Sequence, residues 1–471
     1  MKSGLIAHLE KVLLFLLLGS FALPLILSGV LLIPATHTPA TAWLRNASLG
    51  GVQVQPSSVL LSRASLLSAK YQESVTKRYN FSFAGREFMI RLADEFYLRV
   101  FHTSPVGILI GPLLNLNAVP FAQEYCLLRP RKDLLVPLVD DLRRLQDFCD
   151  ARRIAFAFLI TPSKPSISPE TLPANWWHRY VPQPREYDYL LPLLREKGIR
   201  YVDGHRITAD LKRTARAPVF PAGGGHWGYS AALATTNALL ELLAREGLGV
   251  QPIQHYREEI SDNPSGQDYD AVAVLNLMFP MHYPVTNVIV QPLAGQNTHR
   301  PNLVFVGGSF VKKMMELLAT SAHFSELEYY FYYKMSQSSG TDGEVHRIAA
   351  PTPALNFQTD VFAADALVLE ANEEVLPAMA PHLQSFLHDA LAALPDPHEA
   401  KAPFHYLSRT NYRWGDTLSF VANQHPIDTA AISGFSQLTA GGAATEGPLA
   451  TVRMNVPIPP DDMELEGRCP F

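Results

Sequence analysis

The chain has 471 residues, with 39 Lys and Arg against 44 Asp and Glu and a formal net charge of −5. That length exceeds one usual domain, so two or three compact units are expected, and the mildly acidic balance leaves no electrostatic footprint for a nucleic-acid partner. Three cysteines, Cys126, Cys149 and Cys469, are too few for a disulfide framework, and no spacing suggests a zinc site, so neither metal nor cofactor is expected. A Cys126–Cys149 bridge and two buried free thiols both stay open.

Residues 12–33, VLLFLLLGSFALPLILSGVLLI, form an uncharged run of 22 residues, enough to cross a bilayer at ~1.5 Å per residue. Lys2 and Lys11 precede it, and Arg45 is the first cation after it, which favours a cytoplasmic N-terminus and an exported remainder. Ala40-Thr41-Ala42 resembles a cleavage site but lies well past the run, which is itself long for a signal sequence, so an uncleaved anchor is expected. Residues 34–65, rich in Pro, Thr and Ser, read as a linker. Asn46-Ala47-Ser48 and Asn80-Phe81-Ser82 match the glycosylation pattern, too short a match to argue from.

Residues 66–100 are mixed and polar with some helical spacing, and 106–113 read as strand and turn. A helix is predicted over 137–152, with Leu138, Leu142, Leu145 and Phe148 on one face and Pro137 in its first turn. The apolar run 154–160, IAFAFLI, suits a strand buried on both faces. It ends in Thr161-Pro162-Ser163-Lys164-Pro165, at the kind of strand end where open α/β sheets hold ligands, and Lys164 is a candidate for binding an anionic substrate there. A second helix over 186–197, interrupted at Pro192, leads to a short strand over 199–202 that ends at Asp203. This alternation predicts a parallel, doubly wound α/β sheet.

In 218–243, Gly223-Gly224-Gly225 form a flexible turn, His226-Trp227 follow, and a helix begins near Tyr229 or Ser230. His226 is thereby placed as a loop-borne general base would be. In 301–320, PNLVFVGGSFVKKMMELLAT, a short apolar strand meets a Gly307-Gly308 turn and then a helix with Phe310, Val311, Met314, Leu317 and Leu318 on one face. Ser309 sits at that junction, exposed at the sheet edge beside free helix N–H groups that can hold an oxyanion, as a nucleophilic serine requires. Ser309 with His226 points to serine-nucleophile chemistry, and the orienting acid is open among Asp268, Asp270, Asp203 and Glu370. Glu370 closes a last strand predicted over 366–369. Trp227, and Tyr332 within the cluster Tyr329, Tyr330, Tyr332 and Tyr333, are candidate substrate contacts, since aromatic rings stack on sugar faces. After His398 the texture turns to Gly, Pro and Thr with alternation over 450–456, read as a small β domain. The predicted organisation is therefore 1–33 anchor, 34–65 linker, 66–398 α/β domain and 399–471 β-rich segment.

The motifs Thr161-Pro162-Ser163-Lys164-Pro165 with the PETLP of 169–173, Gly225-His226-Trp227, Asp268-Tyr269-Asp270 through Asn276-Leu277, and Gly307-Gly308-Ser309-Phe310 together resemble the bacterial alginate O-acetyltransferase group, the AlgX/AlgJ type of SGNH-hydrolase-like protein, over roughly 107–376. The resemblance implies an SGNH-hydrolase-like fold held at the inner membrane with its catalytic domain in the periplasm. It also implies transfer of acetyl groups to hydroxyls of an exopolysaccharide, with a membrane-bound acyltransferase as the acetyl donor. By resemblance Ser309 is the nucleophile, His226 the base, and the β segment a carbohydrate-binding element. The family's acid lies two residues before the histidine, where this chain has Gly224, and its Gly-Asp-Ser-Phe is here Gly-Gly-Ser-Phe. Asp270 or Asp268 would then have to supply the acid. An acetyl esterase using the same residues, and a non-catalytic polysaccharide-binding subunit, are the alternatives.

Overall fold

The computed structural model describes residues 26, 49, 62–82, 86–127, 131–177, 184–293, 300–333, 335–340, 345–348, 355–376, 381–394, 417–421, 438–440 and 449–454. Its strands are β1 Ile108–Ile110, β2 Leu116–Ala118, β3 Ala155–Thr161, β4 Tyr201–Asp203, β5 Tyr256–Ser261, β6 Val285–Val290, β7 Asn302–Gly307, β8 Glu326–Phe331, β9 Met335–Gly340, β10 Val345–Ile348, β11 Ala366–Asn372, β12 Thr417–Val421, β13 Leu438–Ala440 and β14 Leu449–Met454. Helices of six residues or more are α1 Lys70–Ser82, α2 Arg86–Phe101, α3 Val119–Leu127, α4 Lys132–Arg152, α5 Glu186–Glu196, α6 Gly204–Lys212, α7 Tyr229–Arg245, α8 Asp270–Leu275, α9 Val311–Ser321 and α10 Pro381–Ala392.

The main sheet runs β10-β9-β8-β7-β11-β3-β4, and β8, β7, β11, β3 and β4 are mutually parallel. β3 and β11 carry no exposed residue because helices cover both faces. Pleating sends Phe156, Phe158 and Ile160 to one side, against α4, α5 and α10, and Ala155, Ala157 and Leu159 to the other, against α7 and α9. The small alanines let α7 lie close, while the two phenylalanines, fully buried, fill the opposite layer. Truncating either ring to alanine would cost about 3–5 kcal/mol. A third cluster joins Leu98 of α2 to β1, β2 and the 271–285 segment.

The parallel, doubly wound arrangement expected from the alternation is present. Two details of the helices differ. α4 begins at Lys132, so Pro137 lies inside it; its missing N–H would have served the carbonyl of Asp133, which is on the exposed side and can turn to water. α5 runs unbroken through Pro192. Cys126 and Cys149 are buried free thiols on separate apolar clusters, and burial pushes the Cys149 thiol up to about 12.

The antiparallel sheet β12-β14-β13 supplies β structure in the C-terminal segment, as one three-stranded sheet; the rest of 399–471 lies outside the described residues. Among the described residues no helix is long and apolar enough to cross a membrane, and all of 12–33 but Ile26 lies outside them.

Candidate active site

The chain turns sharply from β7 into α9 because the two residues after the buried strand have no side chains. A Cβ at Gly307 would fall 2.8 Å from the Cβ and Oε2 of Glu370 and 2.9 Å from Cγ2 of Val311. At Gly308 it would meet Cε1 of Tyr332 at 3.1 Å and Oε2 of Glu370 at 3.5 Å. An aspartate at 308 would therefore collide with a ring and a carboxyl that already occupy its place. Four bonds clamp the turn. Gly308 N–H donates to Glu370 Oε2 at 2.6 Å, and Tyr329 Oη donates to Gly308 O. Gln267 Nε2 donates to Ser309 O at 2.7 Å, and Trp227 Nε1 donates to Phe310 O at 3.0 Å. Ser309 is thereby fixed at the carboxyl end of β7, ahead of the first turn of α9.

His226 comes from the glycine loop before α7. Its Nε2 lies 2.6 Å from Ser309 Oγ, and its Nδ1 is bonded to Oδ2 of Asp270. Asp270 opens α8, and its Oδ1 accepts the N–H groups of Gly225 and Ala271, each at 2.7 Å. Burial pushes this carboxyl up, but the bond and charge of His226 and those two N–H groups outweigh it and leave it below its usual range. An ionised Asp270 fixes the proton on Nδ1, so Nε2 is the acceptor facing the serine. His226 Nδ1–H donates to Asp270, and Ser309 Oγ–H donates to His226 Nε2.

The acid thus comes from 44 residues downstream, and the reason is visible at Gly224. A Cβ there would lie 3.0 Å from the carbonyl oxygens of both Asp268 and Gln267. A carboxylate at 224 would be driven into two carbonyls. Asp268 itself is turned away: it pairs with Lys313 of α9 in the interior, and Lys313 Nζ also donates to Trp227 O at 2.8 Å. Asp203 caps α6 through Arg206 N–H and accepts from Tyr187 Oη. Glu370 supports the serine turn and accepts from Thr161 Oγ1; burial pushes it up to about 7.

Two expected substrate contacts are not presented to a ligand. Lys164 is 3 % exposed, and its ammonium points inward at the carbonyls of Leu116 (2.8 Å), Pro221 (2.7 Å), Ala222 (2.8 Å) and Gly224 (3.1 Å). It ties down the loop that carries His226. Trp227 is wholly buried and braces Phe310. In both cases a loop position in the sequence concealed an interior side chain. Tyr332 is different: it is 38 % exposed, and its Oη lies 3.1 Å from Ser309 Oγ. Its backbone is left-handed, φ 49°, an arrangement costing an L-residue about 1–2 kcal/mol. The conformation is held by Tyr332 N–H on Gly307 O at 2.9 Å and by an edge-on contact with His382. Gln267 and Lys313 are parts of the site that carried no signal in the sequence, and Tyr329 carried none beyond its place in the aromatic cluster. Among the described residues no cluster of His, Cys, Asp and Glu could hold a metal ion.

Fold and site together define an α/β protein with a Ser–His–Asp relay at the carboxyl edge of a parallel sheet. No family model and no curated protein matches the chain. Among solved structures it is similar to the O-acetyltransferase domain of Pseudomonas putida AlgJ, at 16 % identity and a TM-score of 0.39, over 59 % of this chain and 99 % of that one. It is also similar to Pseudomonas aeruginosa AlgX, at 13 % identity and a TM-score of 0.38, over 70 % and 75 %. Bacillus cereus PatB1 matches at 10 % identity and a TM-score of 0.35, over 54 % and 93 %. The functional reading rests on the site.

Proposed function

We infer that the chain is an exported, membrane-anchored O-acetyltransferase that modifies hydroxyls of an exopolysaccharide through an acetyl-Ser309 intermediate. The observation that carries this is the relay itself: a serine hydroxyl at the sheet edge, hydrogen-bonded to a histidine whose other nitrogen is bonded to a half-buried carboxylate. Ser309 Oγ attacks the acetyl carbonyl while its proton passes to His226 Nε2, and Asp270 stabilises the imidazolium. The tetrahedral oxyanion is met by the backbone N–H groups of Ser309 and Phe310, ahead of α9, and by the phenol of Tyr332, whose Oη lies 3.1 Å from Ser309 Oγ. The intermediate collapses as the donor's leaving oxygen or sulfur takes the proton from His226. A sugar hydroxyl then gives its proton to His226, attacks the acyl-enzyme, and releases the acetylated sugar and free Ser309 as the proton returns to Oγ.

The uncharged run at 12–33 would hold the domain on the outer side of the inner membrane, in the periplasm. There the acetyl donor is a membrane-bound acyltransferase rather than a soluble thioester, and the β-rich C-terminal segment would contact the polysaccharide.

The test uses the full chain with a chromogenic acetyl ester and a hydroxyl-rich oligosaccharide, following chromophore release and acceptor mass together. Acetylated acceptor, absent with Ser309→Ala and His226→Ala, is the expected result. Chromophore release with acceptor unchanged would make water the acceptor and the protein an esterase. No difference between the native chain and the variants would overturn the serine mechanism.

A further inference from the structure

Helix α2 is built inside out. On the side that meets the domain it carries Asp94 and Glu95, both buried, with Leu98 as the apolar contact. Glu95 Oε2 accepts Met278 N–H at 3.2 Å, and Arg91 Nη1 donates to Leu277 O at 3.0 Å. The outward side carries Met89, Leu92, Phe96 and Val100 at steps of three, four and four, flanked by Tyr97 and Phe101. These six are 42–59 % exposed, as is Phe279 at 58 %, on the loop whose N–H groups Glu95 accepts. A surface helix normally turns such a stripe toward the core. Here the apolar residues form a contiguous patch, the feature that marks a partner surface.

We propose that this face is a membrane-interface helix, lying along the surface of the bilayer into which residues 12–33 insert. The proposal rests on the anchored reading above and adds a second, orienting contact. Three observations favour lipid as the occupant. Residues 34–62, between the uncharged run and the first described helix, number 29, and a random coil of that many residues would span ~30 Å root-mean-square, a short tether between the bilayer and the domain that carries α2. The helix pairs a broad apolar side with a charged one, and Arg99, half-exposed at the boundary, is ion-paired through Nε with Glu95 at 2.8 Å, which leaves its outer nitrogens for headgroups. Leu98, on the inner side, packs in one cluster with Ala271, Val272 and Leu275 of α8, the helix that begins with Asp270. A bilayer against α2 therefore stands one helix, α8, away from Asp270 of the relay.

The experiment uses the full chain with Cys469→Ser, its two buried thiols retained, in vesicles of mixed neutral and anionic phospholipid. A polarity-sensitive fluorophore is attached at Phe96→Cys or, as control, at Arg144→Cys on α4, across the sheet. The expected result is about twofold quenching of the 96 label by spin-labelled lipid with protection from aqueous iodide, and the reverse at 144. Equal iodide quenching at both sites would put the face in water and overturn the proposal. Shielding of the 96 label from lipid and iodide alike would mean that protein covers it, another segment or a second copy, and would also overturn it. Flotation of the same samples reads the anchor, and ester cleavage reads Ser309, so failure of either stays distinguishable from failure of the face.

Discussion

Along one edge of the main sheet stand two clusters made from the same residue types. At the end of β7 are Ser309, His226 and Asp270; at the ends of β3 and β11 are Ser163, Ser166, His205, Glu373 and Glu374. In the first, the imidazole lies between hydroxyl and carboxylate, so a proton has a path from Oγ to a ring backed by negative charge. In the second, the carboxylate lies in the middle: Glu373 accepts Ser163 N–H at 2.8 Å, the Ser166 hydroxyl, and His205 Nδ1 at 3.0 Å, while Ser163 Oγ donates to Glu374 at 2.9 Å. No serine there faces an acceptor imidazole, and Ser163 is fully buried. Burial and the charge of Glu373 push Glu374 up to about 8, which keeps the pair from carrying two buried negative charges at neutral pH. The second cluster locks two strand ends together. Sequence of contacts and access, rather than composition, separates a nucleophile from a brace.

Variants can break or sharpen that contrast. Ser309→Ala or His226→Ala should lower acetyl release by about 10³-fold or more, read with the chromogenic ester, with thermal unfolding little changed. Asp270→Asn should cost about 10²–10⁴-fold in kcat by freeing the tautomer. Gly224→Asp should not restore an Asp270→Ala enzyme, because the loop at 267–268 already fills the space; recovery of activity in that double variant would refute the exclusion of a carboxylate from 224.

A subtler effect belongs to Glu370. Its carboxyl is raised to about 7 in the folded chain against about 4.3 when unfolded, so the unfolded state loses its proton first. Stability should therefore fall as pH rises from about 4.3 to about 7, by about 4 kcal/mol in total, and level off above. Glu370→Gln, which can still accept from Gly308 and donate to Thr161, should flatten that slope in melting curves taken across the range. A native-like slope in the variant would remove Glu370 as its source.

On the bracing cluster, His205→Ala should lower stability by about 1–3 kcal/mol while leaving kcat near native. A large loss of kcat at unchanged stability would mean that the second cluster takes part in the chemistry. The smallest change is expected from Tyr332→Phe, about 10-fold in kcat with KM nearly unchanged, since backbone N–H donors remain for the oxyanion. An effect confined to KM would instead mark the phenol as a ground-state contact.

Periodicity and turn chemistry are local, and what they govern was legible in the chain. The buried β3 and β11, the helices α4, α5, α7 and α9, and the Gly307-Gly308 turn that exposes Ser309 follow from apolar runs and missing side chains within a few residues. His226 was legible for the same reason, as a residue between a glycine turn and a helix. The partner of His226 was not. Asp203, Asp268, Asp270 and Glu370 are all acids near element ends, and only the packing of α8 against the glycine loop brings Asp270 to Nδ1 while Lys313 holds Asp268 away. Lys164 and Trp227 teach the converse, since each sits on a loop beside a motif yet turns inward to satisfy carbonyls that no local pattern reveals. The sequence by itself determined β3, β4, β7 and β11, the helices α4, α5, α7 and α9 and the nucleophile's turn, because hydrophobic spacing and steric freedom act over short range. Which carboxylate completes the relay, which hydroxyls are only braces, and which way α2 turns its apolar side were decided by tertiary structure, where groups far apart in the chain compete for the same few hydrogen bonds.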